Sequence, residues 1–404
     1  MKDALKACAA LGAAFALLVQ SPPAAAKIGS CDEAITLGTT ISSTGQYSTL
    51  AERWRQMTEI FGEEINKAGG IAVRGCNKKL HVKFVIYDDQ SVPTTAVTLY
   101  EKMATVDNVD FFVGPDWSAF GFPVPPIAEK HQIPMVMANV AAQPIFLRGL
   151  KYMWGTPIPT VPNWDIRYFD MLSKQNPAPK TFFFVTQDNP VTKALTDFWS
   201  KRAVELGYKV LGSETFSTQL KDFTPLILKM RSAKPDVVYI SSFDIPAAPL
   251  IQQMRQLKMK AMDVHITIPS GALQRQIGKD MEGMSGILPW YPGIKGDHSE
   301  LCERVLARSG IDMFDYPYTM SRLAAYLIMV QAIEKAGAVD REKVREALYK
   351  GTFKAPIGDI EFDETGYAYK NGAFTMQMQN DKVVIVWPPE QATGKLVWPA
   401  PTWQ

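Results

Sequence analysis

The chain has 404 residues, 47% of them hydrophobic and 21% charged, with a formal net charge of +2. That length exceeds one ordinary core and points to two domains, while the apolar content excludes general disorder. The near-neutral balance gives no reason to expect a nucleic acid or an anionic membrane as partner.

In chain order, residues 1–26 have the pattern of a secretory signal. Lys2 and Lys6 make a basic start, Ala9 to Val19 an apolar run short for a membrane span, and Ala24 to Ala26 a small-residue cleavage site. The expected location is therefore the periplasm. Cys8 lies inside this segment without a lipobox, leaving Cys31, Cys76 and Cys302. Cys31 precedes the first strand and Cys76 the strand Leu80 to Tyr87. If those strands are parallel neighbours, the two thiols meet at one sheet edge, and a Cys31–Cys76 disulfide is predicted.

The stretch Ala34 to Ile71 reads as a buried strand (Ala34 to Thr40), a Ser/Thr/Gly loop (Ile41 to Tyr47), one long amphipathic helix and a stop at Gly69-Gly70. In an open α/β sheet ligands settle beyond the carboxyl ends of the strands, which makes this first loop a candidate binding surface. A strand ending in Asp88-Asp89 follows, then a helix, the short strand DFFVGP, a helix and the strand IPMVMAN. This β-loop-α alternation fills one Rossmann-like lobe by about residue 157. A second alternation runs from Lys180 to about Gly283, and YMWGTPIPTVPNW, GMSGILPWYPGIKG and the Ala355 to Phe362 region read as three crossings between lobes. The expected fold is α/β, with two Rossmann-like lobes joined by a three-strand hinge. Lobe 1 takes residues 27–156 and 288–354, lobe 2 takes 157–287 and 355–387, and the tail 388–404 is expected on the surface.

Several motifs then resemble one family. Thr44-Gly45 in the first loop, EEINKAGGI closing the first helix, VGP-x-x-S at Val113 to Ser118, the DFTPLILKMRSAKPDVVYI block and the GxxxFDxxG ending at Gly366 are similar to periplasmic substrate-binding proteins of ABC transporters, of the branched-chain amino acid (Leu/Ile/Val-binding) type. The resemblance covers nearly the whole chain after the signal and implies the type I periplasmic binding fold. It also implies a small-molecule solute held between the lobes, a membrane permease as partner, a monomer, and no cofactor. In that family a Ser after the third strand and nearby backbone amides hold the ligand's carboxylate, which implies this role for Ser118 with Asn139, Ala141 and Ala142 nearby.

The family's grip on an α-amino group is altered here. Ala142 stands where Thr is usual, Pro190-Val191 where Tyr-Gly is usual, and Pro246 where leucine-type members place a Glu, with Asp244 two residues earlier. Thr44, Tyr47, Leu50, Trp117, Phe243 and Trp290 complete the expected pocket, with Leu50 where an aromatic residue often occurs. Flat apolar walls with few polar anchors suit an aromatic or aliphatic organic acid better than a free amino acid. A ligand-sensing receptor subunit of the same fold, for an amide, urea or amino acid, is the alternative. Enzymatic motifs are absent from the sequence, its four His are scattered, and no Cys/His cluster supports a metal site. Asp88-Asp89 reads as a loop cap rather than a catalytic pair.

Overall fold

The computed structural model describes residue 31 and residues 34–156, 161–368 and 372–403; the expected signal, residues 1–26, lies outside them. Two separate sheets organise the chain. The first has five parallel strands in the order Val82–Asp88, Ile35–Ile41, Phe111–Asp116, Met135–Ala138, Met153–Gly155. Its strands are apolar on both faces because helices cover both sides, as parallel sheets require. All five carboxyl ends lie on one edge, and the loops there carry the candidate site.

Helix Trp54–Lys67 packs on this sheet through Trp54, Met57 and Phe61, which recur at helical spacing. It ends at Gly69 and Gly70, both at φ +96, and a Cβ on Gly70 would sit 2.3 Å from the Leu80 carbonyl. Only glycine fits that turn. Helix Ser299–Ser309 lies against Trp54–Lys67, while helix Thr319–Ala336 crosses the sheet and is buried almost all round. Cys31 and Cys76 form the expected disulfide, with 5.4 Å between their Cα atoms.

The second sheet has seven strands, in the order Lys382–Trp387, Phe374–Gln379, Ser285–Leu288, Asp263–Ile266, Val237–Ser241, Thr181–Gln187, Lys209–Phe216. The last five are parallel, and the first two are added antiparallel as a hairpin. The fold is the expected α/β pair of Rossmann-like lobes.

Four details differ from the sequence reading. The first helix is broken into Ser48–Ala51 and Trp54–Lys67. Two anchors impose the break: the Tyr47 amide donates to Ser91 Oγ at 3.1 Å, while the Trp54 indole enters the core and donates to Thr319 Oγ1 at 2.9 Å. Cys76 closes a 3₁₀ turn inside a small hairpin, Ile71–Val73 with Lys78–Leu80, ahead of the strand Val82–Asp88. The stretch from 355 to 367, assigned to lobe 2, stays with lobe 1. Phe353–Ala355 pairs with Gly358–Ile360 beside helix Thr319–Ala336, Tyr367 bridges to Gly155, and its ring meets Phe146 at 4.6 Å. Finally, the tail runs over the surface as expected, but its end is anchored: Trp403 is 1% exposed under the Arg255 guanidinium, 3.4 Å from its ring centre, and its carbonyl accepts from the Ala261 amide.

Candidate functional site

The first loop is built on the strand-end carboxylates. Asp88 accepts from the Ser43 amide (3.0 Å) and from the Thr44 hydroxyl (2.8 Å); Asp89 accepts from the Ser42 hydroxyl (2.7 Å) and the Ser91 amide (3.0 Å). They cap the loop, as expected, and do not form a catalytic pair. Thr44 is exposed and its hydroxyl is spent on Asp88. Gly45, at φ +82, lets the loop pass the Gln90 carbonyl, which a Cβ would meet at 2.4 Å. Leu50 falls on helix Ser48–Ala51, and its side chain lies outside the described part of the structure.

Tyr47 and Trp117 meet across the carboxyl edge of the sheet. The Trp117 indole is sandwiched between Tyr47 (5.3 Å) and Trp54 (5.6 Å), with Tyr318 edge-on at 5.7 Å. Its backbone is at φ +66 and ψ 142, a conformation rare for any side chain and unusual for one this large. The buried indole Nε1 has no protein acceptor. Both faces of the indole are thus taken by neighbouring rings, so Trp117 is the centre of an aromatic cluster at the carboxyl edge of the sheet rather than an open stacking surface.

Ser118, next in the chain, supplies the polar counterpart. Its Oγ accepts from the Ala141 amide at 3.2 Å and the Ala142 amide at 3.1 Å, so two N–H groups converge on one point. Successive backbone amides converging in this way form a candidate cradle for an anion. Ala141 is exposed and Ala142 and Ser118 are half-buried, so the cradle faces outward. Asn139, at φ +57 and 3% exposed, donates through Nδ2 to Asp116 at 2.8 Å and leaves its Oδ1 without a protein partner. Beside Ala141 opens a cavity of ≈ 390 Å³, bounded by Gln143, by Val161 to Asn163 and by Asp363 and Tyr367. That volume suits a small solute.

Lobe 2 presents Phe243 and Asp244 at the start of helix Asp244–Gln256. The Phe243 amide and the Ser242 hydroxyl both donate to Gln187 Oε1, at 3.0 and 3.1 Å, which fixes the loop. Phe243 is half-buried and stacks on no aromatic ring in the described residues. Asp244 accepts from the Ser270 hydroxyl and lies near Tyr318, whose phenol is pushed up to about 12 by desolvation and then by the Asp244 charge. Tyr318 thus lies edge-on to Trp117 and within electrostatic reach of Asp244. Trp290 is a correction. With no exposed surface it packs inside the core with its Nε1 unpartnered, because the crossing turns its indole inward, so it is not an open pocket wall.

Sequence reasoning missed Tyr318, Trp54 and a buried ion pair between Arg322 and Asp116. It also took the histidines as isolated. His265 contacts Asp165 through Nε2 and Ser285 through Nδ1, both at 2.9 Å, in the order of a hydrolase triad. The resemblance stops at connectivity. All three are buried, and the Ser285 hydroxyl donates to Asp263 at 2.5 Å, so it is not presented as a nucleophile. Asp263, whose carboxyl burial pushes up, also accepts from Tyr168 at 2.7 Å. With the Tyr239 hydroxyl, which also donates to Asp165, this network pins Asp165, just beyond the first crossing, to three strands of lobe 2.

Two lobes, a candidate cradle for an anion at one sheet edge and an aromatic cluster beside it define a solute-binding protein. The sequence profile described as periplasmic binding protein matches residues 34–382, and the chain belongs to that family. It is 28% identical over 341 residues to the leucine-, isoleucine-, valine-, threonine- and alanine-binding protein of Pseudomonas aeruginosa, covering 82% of this chain and 86% of that one. Among solved structures it resembles a branched-chain amino acid ABC transporter periplasmic ligand-binding protein of Burkholderia xenovorans, with TM-score 0.71 at 18% identity over 89% of this chain and 97% of that one. It also resembles an ABC transporter solute-binding protein of Rhodopseudomonas palustris in complex with benzoate, with TM-score 0.63 at 17% identity over 91% and 97%. The homologues are binding proteins of the branched-chain amino acid transporter type, not enzymes.

Proposed function

We propose that this protein is the monomeric, extracytoplasmic binding component of an ABC importer, and that its solute is a small organic acid with an aromatic or aliphatic body. The observation that carries the reading is the convergence of the Ala141 and Ala142 amides on Ser118, a polar point suited to a carboxylate, beside the apolar cluster of Tyr47, Trp117 and Tyr318. The replacements at Ala142, Pro190-Val191 and Pro246 take away groups that would hold an ammonium. The benzoate complex of the Rhodopseudomonas palustris protein shows that a protein of this fold takes such an acid.

A second reading rests on Asp244, a half-buried carboxylate at the start of helix Asp244–Gln256 that would receive an ammonium, making the solute an amino acid. A thermal-shift screen decides between them. Protein stripped of carried ligand by unfolding and refolding is tested with aromatic acids, aliphatic mono- and dicarboxylates, amides and amino acids. A ligand at 100 times its Kd stabilises the fold by about 2.7 kcal/mol. A response to acids with silence from leucine and valine supports the first reading, and the converse supports the second.

A further inference from the structure

Beneath the cradle lies an arginine–carboxylate ion pair with both partners buried. Arg322, 1% exposed, pairs with Asp116, itself 6% exposed. The remaining guanidinium donors reach the Tyr326 hydroxyl at 2.6 Å, Thr39 Oγ1 at 2.8 Å and the Thr40 carbonyl at 3.2 Å. The other Asp116 oxygen accepts from Asn139 Nδ2 at 2.8 Å. Asp116 lies two residues before Ser118, and Asn139 two before Ala141. The pair therefore sits under both arms of the cradle, in a part of the core from which water is excluded.

We propose that Arg322 is the positioning and charge-compensating residue of the carboxylate cradle. It neutralises Asp116, so an anion above meets a net-neutral floor instead of a buried negative charge. The inference rests on the cradle holding the solute's carboxylate. One uncompensated charge several ångströms away, at an effective dielectric of about 20, changes anion affinity by tenfold or more. A purely mechanical role would weaken charged and neutral ligands alike.

The test is calorimetry with benzoate and its neutral isostere benzamide on the wild type, Arg322→Met, Asp116→Asn and the double variant. Arg322→Met is expected to lose at least tenfold for benzoate with benzamide changed less than twofold. Asp116→Asn should bind benzoate at least as tightly as the wild type, and the double variant should return to within about threefold of it. Thermal stability should rank differently, with both single variants below the double one, since each leaves a buried charge unpaired. A double variant as weak as Arg322→Met, or equal losses for benzoate and benzamide, would overturn the proposal. If Arg322→Met does not fold, the Asp116→Asn and double proteins decide by the same criteria. If the wild type takes no benzoate, the benzoate arm fails and the floor charge is read without ligand. Quenching of Trp117 fluorescence is then measured as the difference from matched Trp117→Phe proteins. The iodide-to-acrylamide ratio should fall in Arg322→Met and rise in Asp116→Asn, and unchanged ratios would refute the compensation.

Discussion

Replacing Ser118 by Ala removes the acceptor on which the Ala141 and Ala142 amides converge. In the ligand-free protein the cost is small, because Ala141 is exposed and water can take the freed N–H groups. The larger effect falls on binding. A hydrogen bond from the hydroxyl to a carboxylate contributes about 1.5–3 kcal/mol. The two amides are released in the variant and reach the ligand without giving up Ser118, which offsets part of that loss. A net weakening of about 1–2 kcal/mol, roughly 5- to 30-fold in Kd, is expected for a carboxylate ligand. Calorimetry with the best acid from the screen measures it, and urea unfolding controls for the fold. An unchanged Kd in a protein of unchanged stability would take Ser118 out of the site and the cradle with it.

Glu64 is held below the usual carboxylate range by hydrogen bonds from Arg304 and Arg308, against the cost of burial. Its contribution to stability is therefore full above about pH 4.5 and fades as pH falls through its lowered folded value. Glu64→Gln should be less stable than the wild type at pH 7, and the gap should narrow progressively as pH falls below about 4.5; a gap independent of pH in urea titrations would refute this. Breaking the Cys31–Cys76 bridge, which spans 45 residues, should cost up to about 4 kcal/mol in the chain-entropy model, read as a lowered urea midpoint of the Cys31→Ser/Cys76→Ser protein. Trp403→Ala should destabilise by about 3–5 kcal/mol, as for other buried tryptophans. A loss below 1 kcal/mol would mean that the indole does not anchor the tail.

What was legible in the sequence was local or nearly so. Strand runs such as Ile35–Ile41, the Gly69-Gly70 stop and the carboxylates that cap the first loop each depend on neighbours within a few residues or on the adjacent strand. Ser118 was found through a motif whose spacing is fixed by the strand-to-loop transition. The rest of the site depends on contacts that periodicity does not encode. Arg322 reads as one more polar position on a long helix, yet its partner Thr39 is 283 residues away. Tyr318 precedes that helix without any flanking signal. His265 meets Asp165 across 100 residues and Ser285 across 20, so no spacing rule could pair them. Trp290 was expected to face the ligand because it lies in a crossing, but residue type alone does not say which way an indole turns.

The passage of the chain back and forth between the sheets sets the order in which the protein can be assembled. Lobe 1 draws on Ile35 and on Tyr367, and the core of lobe 2 reaches from Trp164 to Trp403. Neither lobe corresponds to a contiguous segment that could close while the remainder is still being made or threaded. A chain emerging vectorially from its amino terminus therefore stays without a finished core until nearly all of it is available.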